Sequence, residues 1–226
     1  GGVNMYHFTD VLSKLLPDNG VIVSDAGSSF YVASQGVMLR DGQRYITSGG
    51  QAEMGYTLPA SIGIAFAAGG AEVAGITGDG SFQMNIQELQ TLVQYQVPVK
   101  LFVWNNDGYL SIRATQGKFF EGRFIGTDKE SGVSFPEVCK IAEAYGLPFV
   151  KISNPAELEG KVREVLSMKG PVVCEVMTPR DQEIVPTVSS MRKDDGTMVS
   201  KPIEDMYPFL PRDVFIREMI VRPLDE

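Results

Sequence analysis

Short apolar runs alternate along this chain with stretches in which apolar residues recur every three or four positions. Residues 21–23, 72–76, 99–104, 149–152 and 172–176 read as near-continuous apolar segments, the pattern of strands buried on both faces. Between them, Phe82, Ile86, Leu89 and Val93 mark one face of a helix over 82–95. Ser134-Phe135-Pro136-Glu137 and Asn154-Pro155-Ala156-Glu157 each have the residue order of a capping box, with proline near the first turn. The helices they open are expected to end at Gly146 and near Gly170, where glycine accepts a left-handed cap. Leu158, Val162, Val165 and Leu166 form the inward stripe of the second. Strand–helix alternation of this kind predicts an α/β fold with three layers, α/β/α, around a mostly parallel central sheet.

Two segments break the alternation. Residues 117–132 form a polar, glycine-bearing loop, longer than most connections in a compact domain, which marks it as functional or mobile. From residue 180 onward the pattern dissolves into Pro, Asp, Lys and Met, with a helical hint only at 213–221. Apolar islands at Met206, Tyr207, Phe209 and Leu210 suggest that this tail packs on something. The expected division is therefore a binding domain over 1–179 and a C-terminal tail or lid over 180–226.

Composition narrows the field. With 226 residues, 43% of them apolar, the chain is long enough for one sizeable domain with a true core. A net charge of −8 without a long Lys/Arg run argues against nucleic acid or an anionic membrane surface as partner. No apolar run approaches the about 18 residues that a bilayer span requires, and no signal-peptide pattern is seen. Cys139 and Cys174 stand far apart with no CxxC, so they read as free thiols in a reducing, cytoplasmic setting. Two cysteines also exclude a cysteine-ligated iron–sulfur cluster within this chain. His7, the only histidine, falls on the first helix, where a surface role is expected.

The candidate chemistry lies between Gly78 and Asn106. Gly78-Asp79-Gly80-Ser81 follows one predicted strand, and Asn105-Asn106-Asp107-Gly108-Tyr109 follows the next, with Asn106 standing 27 positions beyond Asp79. A third loop, Ser24-Asp25-Ala26-Gly27-Ser28-Ser29, also follows a strand and is rich in small and hydroxyl residues. Ligands in open α/β sheets bind beyond the carboxyl ends of the strands, so the three loops are expected to converge on one mouth. A carboxylate and a carboxamide there suit magnesium, which takes one or two protein side chains plus phosphate oxygens. Glycines allow backbone N–H groups to approach those phosphates, and Ser81 is placed to cap the following helix. Gly-Asp-Gly alone is a common turn; the joint spacing carries the reading.

These motifs resemble the thiamine diphosphate enzymes, specifically the diphosphate-binding (PP) domain of the acetolactate synthase and pyruvate decarboxylase group. The stretch 46–59, ITSGGQAEMGYTLP, is similar to the acetolactate synthase segment that holds the aminopyrimidine ring. The resemblance covers roughly 8–176 and is more specific for cofactor than for substrate. It implies thiamine diphosphate and Mg2+ as cofactors, with Asp79, the Asn106 side chain and the Gly108 carbonyl as metal ligands. Gly27, Ser28, Ser29, Gly80 and Ser81 would hold diphosphate oxygens, helped by backbone N–H groups of Tyr109, Leu110 and Ser111. The Ala52 carbonyl would accept from the 4′-amino group, and Met54 would support a bent cofactor whose 4′-nitrogen lies beside thiazolium C2.

The resemblance also marks what is missing. No certain catalytic residue lies in this chain, because the family's essential glutamate belongs to a separate PYR domain. The chain opens almost at once on the PP pattern, so it is expected to be one subunit of a split enzyme or a region of a longer one, inactive alone. PYR and PP domains pair across dimers, which implies a homo- or hetero-oligomer; the flavin domain is not seen, so no FAD is expected. Ile112 stands where several decarboxylases carry an acid, which leans toward carboligation. The implied activity is decarboxylation of a 2-oxo acid such as pyruvate and transfer of the acyl carbanion to a carbonyl acceptor. A two-subunit decarboxylase of the sulfopyruvate or phosphonopyruvate type, a non-catalytic cofactor-binding module and, more remotely, a transketolase-like enzyme stay open as alternatives. Gln51, Glu53, Arg113 and the loop 117–132 are candidates for substrate discrimination.

Overall fold

The computed structural model describes residues 1–192 and 197–223. They form two compact units, Gly1–Gln182 and Glu183–Glu226. Residues 193–196 and 224–226 of the expected tail lie outside the described residues.

The first unit is built on six parallel strands: β1 (Val21–Ser24), β2 (Arg44–Thr47), β3 (Val73–Gly78), β4 (Val99–Asn105), β5 (Phe149–Ile152) and β6 (Val172–Met177). Their order across the sheet is β2-β1-β3-β4-β6-β5. From β1 the chain moves outward to β2, then returns past β1 to β3 and continues toward β4. The direction reverses between β1 and β3, the position at which the loops of such a sheet part to form a crevice.

Alternate strand residues serve the two faces. Val21, Val23, Val73, Leu101 and Val103 meet α3 (Thr57–Ala67), α5 (Leu89–Tyr95) and α7 (Val138–Ala144) in one apolar cluster. On the other face, Phe8 of α1 (Met5–Leu15) packs edge-on against Phe102 and Trp104 of β4, with ring centroids 5.1 and 5.5 Å apart. Helices α2 (Gly27–Gly36) and α8 (Leu158–Ser167) adjoin α1 there. The expected three-layer parallel architecture is thus present.

Several local expectations change. β2 was not foreseen, since an edge strand reading Arg-Tyr-Ile-Thr is only partly buried and lacks a continuous apolar run. The single helix expected over 82–95 is three pieces: α4 (Asp79–Phe82), a 3-10 segment Gln83–Glu88 and α5. Asn85 leaves helical geometry at φ −131°, ψ 34°. The capping box at Asn154 forms, its carboxamide accepting from the Ala156 and Glu157 N–H groups while Glu157 reaches back. The one at Ser134 does not: α7 starts at Val138 without a side-chain cap. α6 (Leu110–Phe119) also runs three residues into the segment read as loop.

The second unit holds the antiparallel pair β7 (Ser190–Arg192) and β8 (Met198–Ser200), and α9 (Arg212–Glu218). Asp205 ties it together, accepting two bonds from Arg212 at 2.7 and 2.8 Å and lying 3.5 Å from buried Lys201.

Candidate functional site

β1, β3 and β4 are neighbours and parallel, so the loops that leave them emerge on one rim. Asp79 opens α4 directly after β3 and is only 4% exposed. Its Oδ1 accepts from the Gly80 N–H at 2.8 Å and its Oδ2 from the Gly108 N–H at 3.0 Å. Burial pushes its carboxyl up to about 6, against the pull of the Gly108, Gly80 and Asn106 N–H groups and the Arg113 charge.

The two asparagines after β4 divide their roles. Asn105 braces the loop: its Nδ2 donates to Glu175 at 2.7 Å and its Oδ1 accepts from the Asp107 N–H at 3.0 Å. Asn106 is 3% exposed, and its Oδ1 has no hydrogen-bond partner. A buried carbonyl oxygen left unpaired, on a loop bonded to a buried carboxylate, fits the oxygen-seeking chemistry of magnesium. Among the described residues no three His, Cys, Asp or Glu side chains gather as a cation cage. One carboxylate and one amide suit a cation that takes its remaining oxygens from phosphate. Gly108 has φ 129°, and a Cβ there would meet the Thr127 carbonyl oxygen at 2.0 Å, so only glycine allows this approach.

Two ten-residue helices, α2 and α6, begin on this rim with N-termini that lack side-chain caps. At Gly27, φ 58°, the Cβ position lies 3.2 Å from Ser111 Oγ, so the two helix starts face one another. Ser111 Oγ is itself buried without a partner. Unsatisfied N–H groups and two positive helix ends suit a diphosphate. Of the backbone donors expected near Tyr109, the Tyr109 N–H is taken by the Thr127 carbonyl at 2.8 Å. Leu110 and Ser111 remain in the uncapped first turn. Gly80 lies under the Tyr109 ring, which packs edge-on against Phe135 at 5.4 Å.

The Ser81 and Ser29 hydroxyls are engaged within the protein. Ser81 does not cap a helix; it lies inside α4, whose cap is Gly78. Its Oγ donates to Asp25 Oδ2 at 2.5 Å and accepts from the Gly55 N–H at 2.7 Å. Ser29 Oγ lies 2.7 Å from Asp25 Oδ1 and 2.8 Å from the Ala26 carbonyl, its single proton shared between the two. Gly27, Ser28 and Ser29 form the first turn of α2, whose N–H groups have no side-chain cap. Met54 stands 40% exposed on the turn that follows β2, between Ala52 at φ 52° and Gly55 at φ 83°.

The sequence reading did not single out Asp25, Thr77, whose hydroxyl donates to Asp25 at 2.8 Å, or Asn85, which donates to the Gly55 carbonyl at 2.9 Å. Asp25 lies in the hydroxyl-rich loop already singled out, and a carboxylate directly after a strand was the available signal. Arg113 takes a different part from the one expected: it is 5% exposed, and its guanidinium donates to the carbonyls of Asn106, Asp107 and Arg180 at 3.0, 3.1 and 2.6 Å. It clamps the backbone after β4 from a buried position. Gln51, Glu53 and Ile112 are exposed, as is His7. The segment 117–132 is tied down by Gln116, which bonds Ile125, and by a turn in which Ser131 meets Thr127 and Asp128. Cys174 is buried and Cys139 partly so, both as free thiols.

The family profile described as thiamine pyrophosphate enzyme, C-terminal TPP binding domain, matches residues 25–176. The chain belongs to this family, as the C-terminal TPP-binding domain of a thiamine diphosphate enzyme. Among curated proteins it is similar to the acetolactate synthase of Arthrospira platensis, 36% identical over 79% of this chain and 30% of that protein. The acetolactate synthase catalytic subunit of Saccharomyces cerevisiae is 35% identical over 79% of this chain and 26% of its own length. The acetolactate synthase large subunit of Haemophilus influenzae is 31% identical over 91% of this chain and 35% of its own. The chain thus spans about a third or less of these relatives. Among the described residues no helix is long and apolar enough to cross a membrane.

Proposed function

We propose that this chain is the diphosphate- and magnesium-binding part of an acetolactate synthase-like enzyme, which decarboxylates a 2-oxo acid such as pyruvate and transfers the acyl unit to a carbonyl acceptor. The observation that carries the reading is the unpaired, buried Asn106 Oδ1 on the loop whose Gly108 N–H holds Asp79. Asp79, Asn106 and the Gly108 carbonyl are the magnesium donors in this proposal. The first turns of α2 and α6 hold the diphosphate, and Arg113 keeps the metal loop in shape. Ala52 and Met54 stand on a turn anchored to α4 through Gly55, and so address the aminopyrimidine end. Thiamine diphosphate, when bound, supplies the electron sink that decarboxylation of a 2-oxo acid needs.

A complementary PYR region, in the same protein or in a partner chain, completes the site; the greater length of the relatives supports this. A cytoplasmic setting and an oligomeric assembly belong to the same reading. Calorimetric titration tests the cofactor assignment: thiamine diphosphate binding should require Mg2+, and Asn106→Ala should remove most of that metal dependence. Unchanged metal-dependent binding in the variant overturns the ligand set. Product analysis of pyruvate turnover tests the reaction, since free aldehyde as sole product with an aldehyde acceptor present would favour a simple decarboxylase.

A further inference from the structure

Asp25 is fully buried, and its two oxygens accept four donors from three places in the chain. Oδ1 takes the Ala26 N–H and the Ser29 hydroxyl, both at 2.7 Å. Oδ2 takes the Thr77 hydroxyl at 2.8 Å and the Ser81 hydroxyl at 2.5 Å. One carboxylate thus joins the start of α2, the end of β3 and the start of α4. Among the described residues no Lys, Arg or His forms an ion pair with it, so hydroxyls and one amide provide its compensation.

The bond to Ser81 has a directional consequence. A hydroxyl has a single proton, and once that proton is donated to Asp25 only lone pairs remain for other partners. Ser81 Oγ therefore faces the Gly55 N–H as a pure acceptor, at 2.7 Å. The Gly55 carbonyl is held from the other side by Asn85 Nδ2 at 2.9 Å, from the kink that breaks the helix after α4. Gly55 immediately follows Met54. Its left-handed φ of 83°, and the Met84 Cβ only 2.6 Å from where its own Cβ would lie, leave the backbone there little freedom.

We propose that Asp25 is a positioning residue whose bond to Ser81 fixes Gly55, and thereby sets the Ala52–Met54 turn relative to the Asp79 loop. In this assignment the Ser81 hydroxyl is a relay between the two halves of the cofactor site and not a ligand of the diphosphate. The proposal rests on the cofactor reading above, for the identity of the two halves.

Two measurements on the whole protein, with any chains that co-purify, test it. The first needs no ligand: amide hydrogen exchange at Gly55. Ser81→Ala removes the acceptor and Asp25→Asn removes the orienting carboxylate, so each should accelerate Gly55 exchange by roughly tenfold or more, the protection of one buried hydrogen bond. Unchanged Gly55 exchange in Ser81→Ala overturns the relay; that variant is small enough to carry the test should Asp25→Asn fail to fold. The second compares thiamine diphosphate with inorganic pyrophosphate, each titrated with Mg2+. Ser81→Ala should weaken thiamine diphosphate by about tenfold and leave pyrophosphate within about twofold, because only the former engages the 52–54 turn. An equal loss for both ligands would make Ser81 a diphosphate ligand and overturn the assignment. If the wild type binds neither, the cofactor reading itself fails, while Gly55 exchange still decides whether Asp25 and Ser81 hold the turn.

Discussion

Arg113 holds the backbone of Asn106 while leaving its side chain free: Nη2 donates to the Asn106 carbonyl at 3.0 Å, and Asn106 Oδ1 has no partner. A planar guanidinium serves several carbonyls at once, which a lysine ammonium on a flexible stem does less well. Arg113→Met should destabilise the fold by about 3 kcal/mol, because buried carbonyls lose their donors. It should also weaken magnesium binding, and Arg113→Lys should recover only part of either loss. Urea unfolding and Mg2+ titration would check both.

Asp79 supplies a pH dependence of definite sign. Its carboxyl is raised from 3.8 to about 6 in the folded chain, so folding favours the protonated form. The resulting stabilisation is complete below the unfolded value and disappears as pH rises through about 6. In chelator, wild type should lose about 3 kcal/mol relative to Asp79→Asn between roughly pH 4 and pH 6. In the proposed ligand set magnesium takes this carboxylate, so it should oppose that loss and bind more weakly below about pH 6. Urea titrations across this range, with and without metal, separate the two effects.

Gly80→Ala should destabilise the protein even though α4 is helical there. Alanine normally favours a helix over glycine by about 1 kcal/mol. Here the added Cβ would lie 2.3 Å from Tyr109 Cε1 and 3.0 Å from Phe135 Cζ, so the ring must shift. We expect a net loss of about 1–3 kcal/mol by thermal unfolding, together with weaker pyrophosphate binding as the start of α6 moves.

Lys100 offers a control at the opposite end of the sheet. It is fully buried near the start of β4, where its ammonium donates to the Met168 and Gly170 carbonyls and pairs with Glu72 at 3.1 Å. Lys100→Met should cost about 3 kcal/mol in urea unfolding. Ligand affinity of the folded variant should be unchanged, since the binding rim lies at the other end of the strands.

The sequence carried the inner strands plainly, because β1, β3, β4 and β6 are buried on both faces and leave continuous apolar runs. β2 is an edge strand like β5, but it left no such trace because Arg44 and Thr47 flank only two apolar residues. Asp79 and Asn106 were legible because the chain places each directly after a strand. The roles of Ser81 and Arg113 were not, since they depend on partners brought close only by folding: Asp25 is 56 residues from Ser81, and Arg180 is 67 residues from Arg113. Periodicity likewise gave no sign of the break at Asn85, where the apolar stripe continues although the backbone turns aside.

Ala52 adopts φ 52° in a turn closed by its own N–H on the Ser48 carbonyl at 2.8 Å. A left-handed alanine is strained by about 1–2 kcal/mol, which glycine would avoid. Glycine would also give the unfolded chain more freedom, a cost of about 0.4–1 kcal/mol that opposes the relief. Ala52→Gly should therefore shift the melting temperature little. In the proposed site the methyl group keeps the neighbouring carbonyl rigid, so its removal should show in calorimetry as a larger entropic penalty when thiamine diphosphate binds.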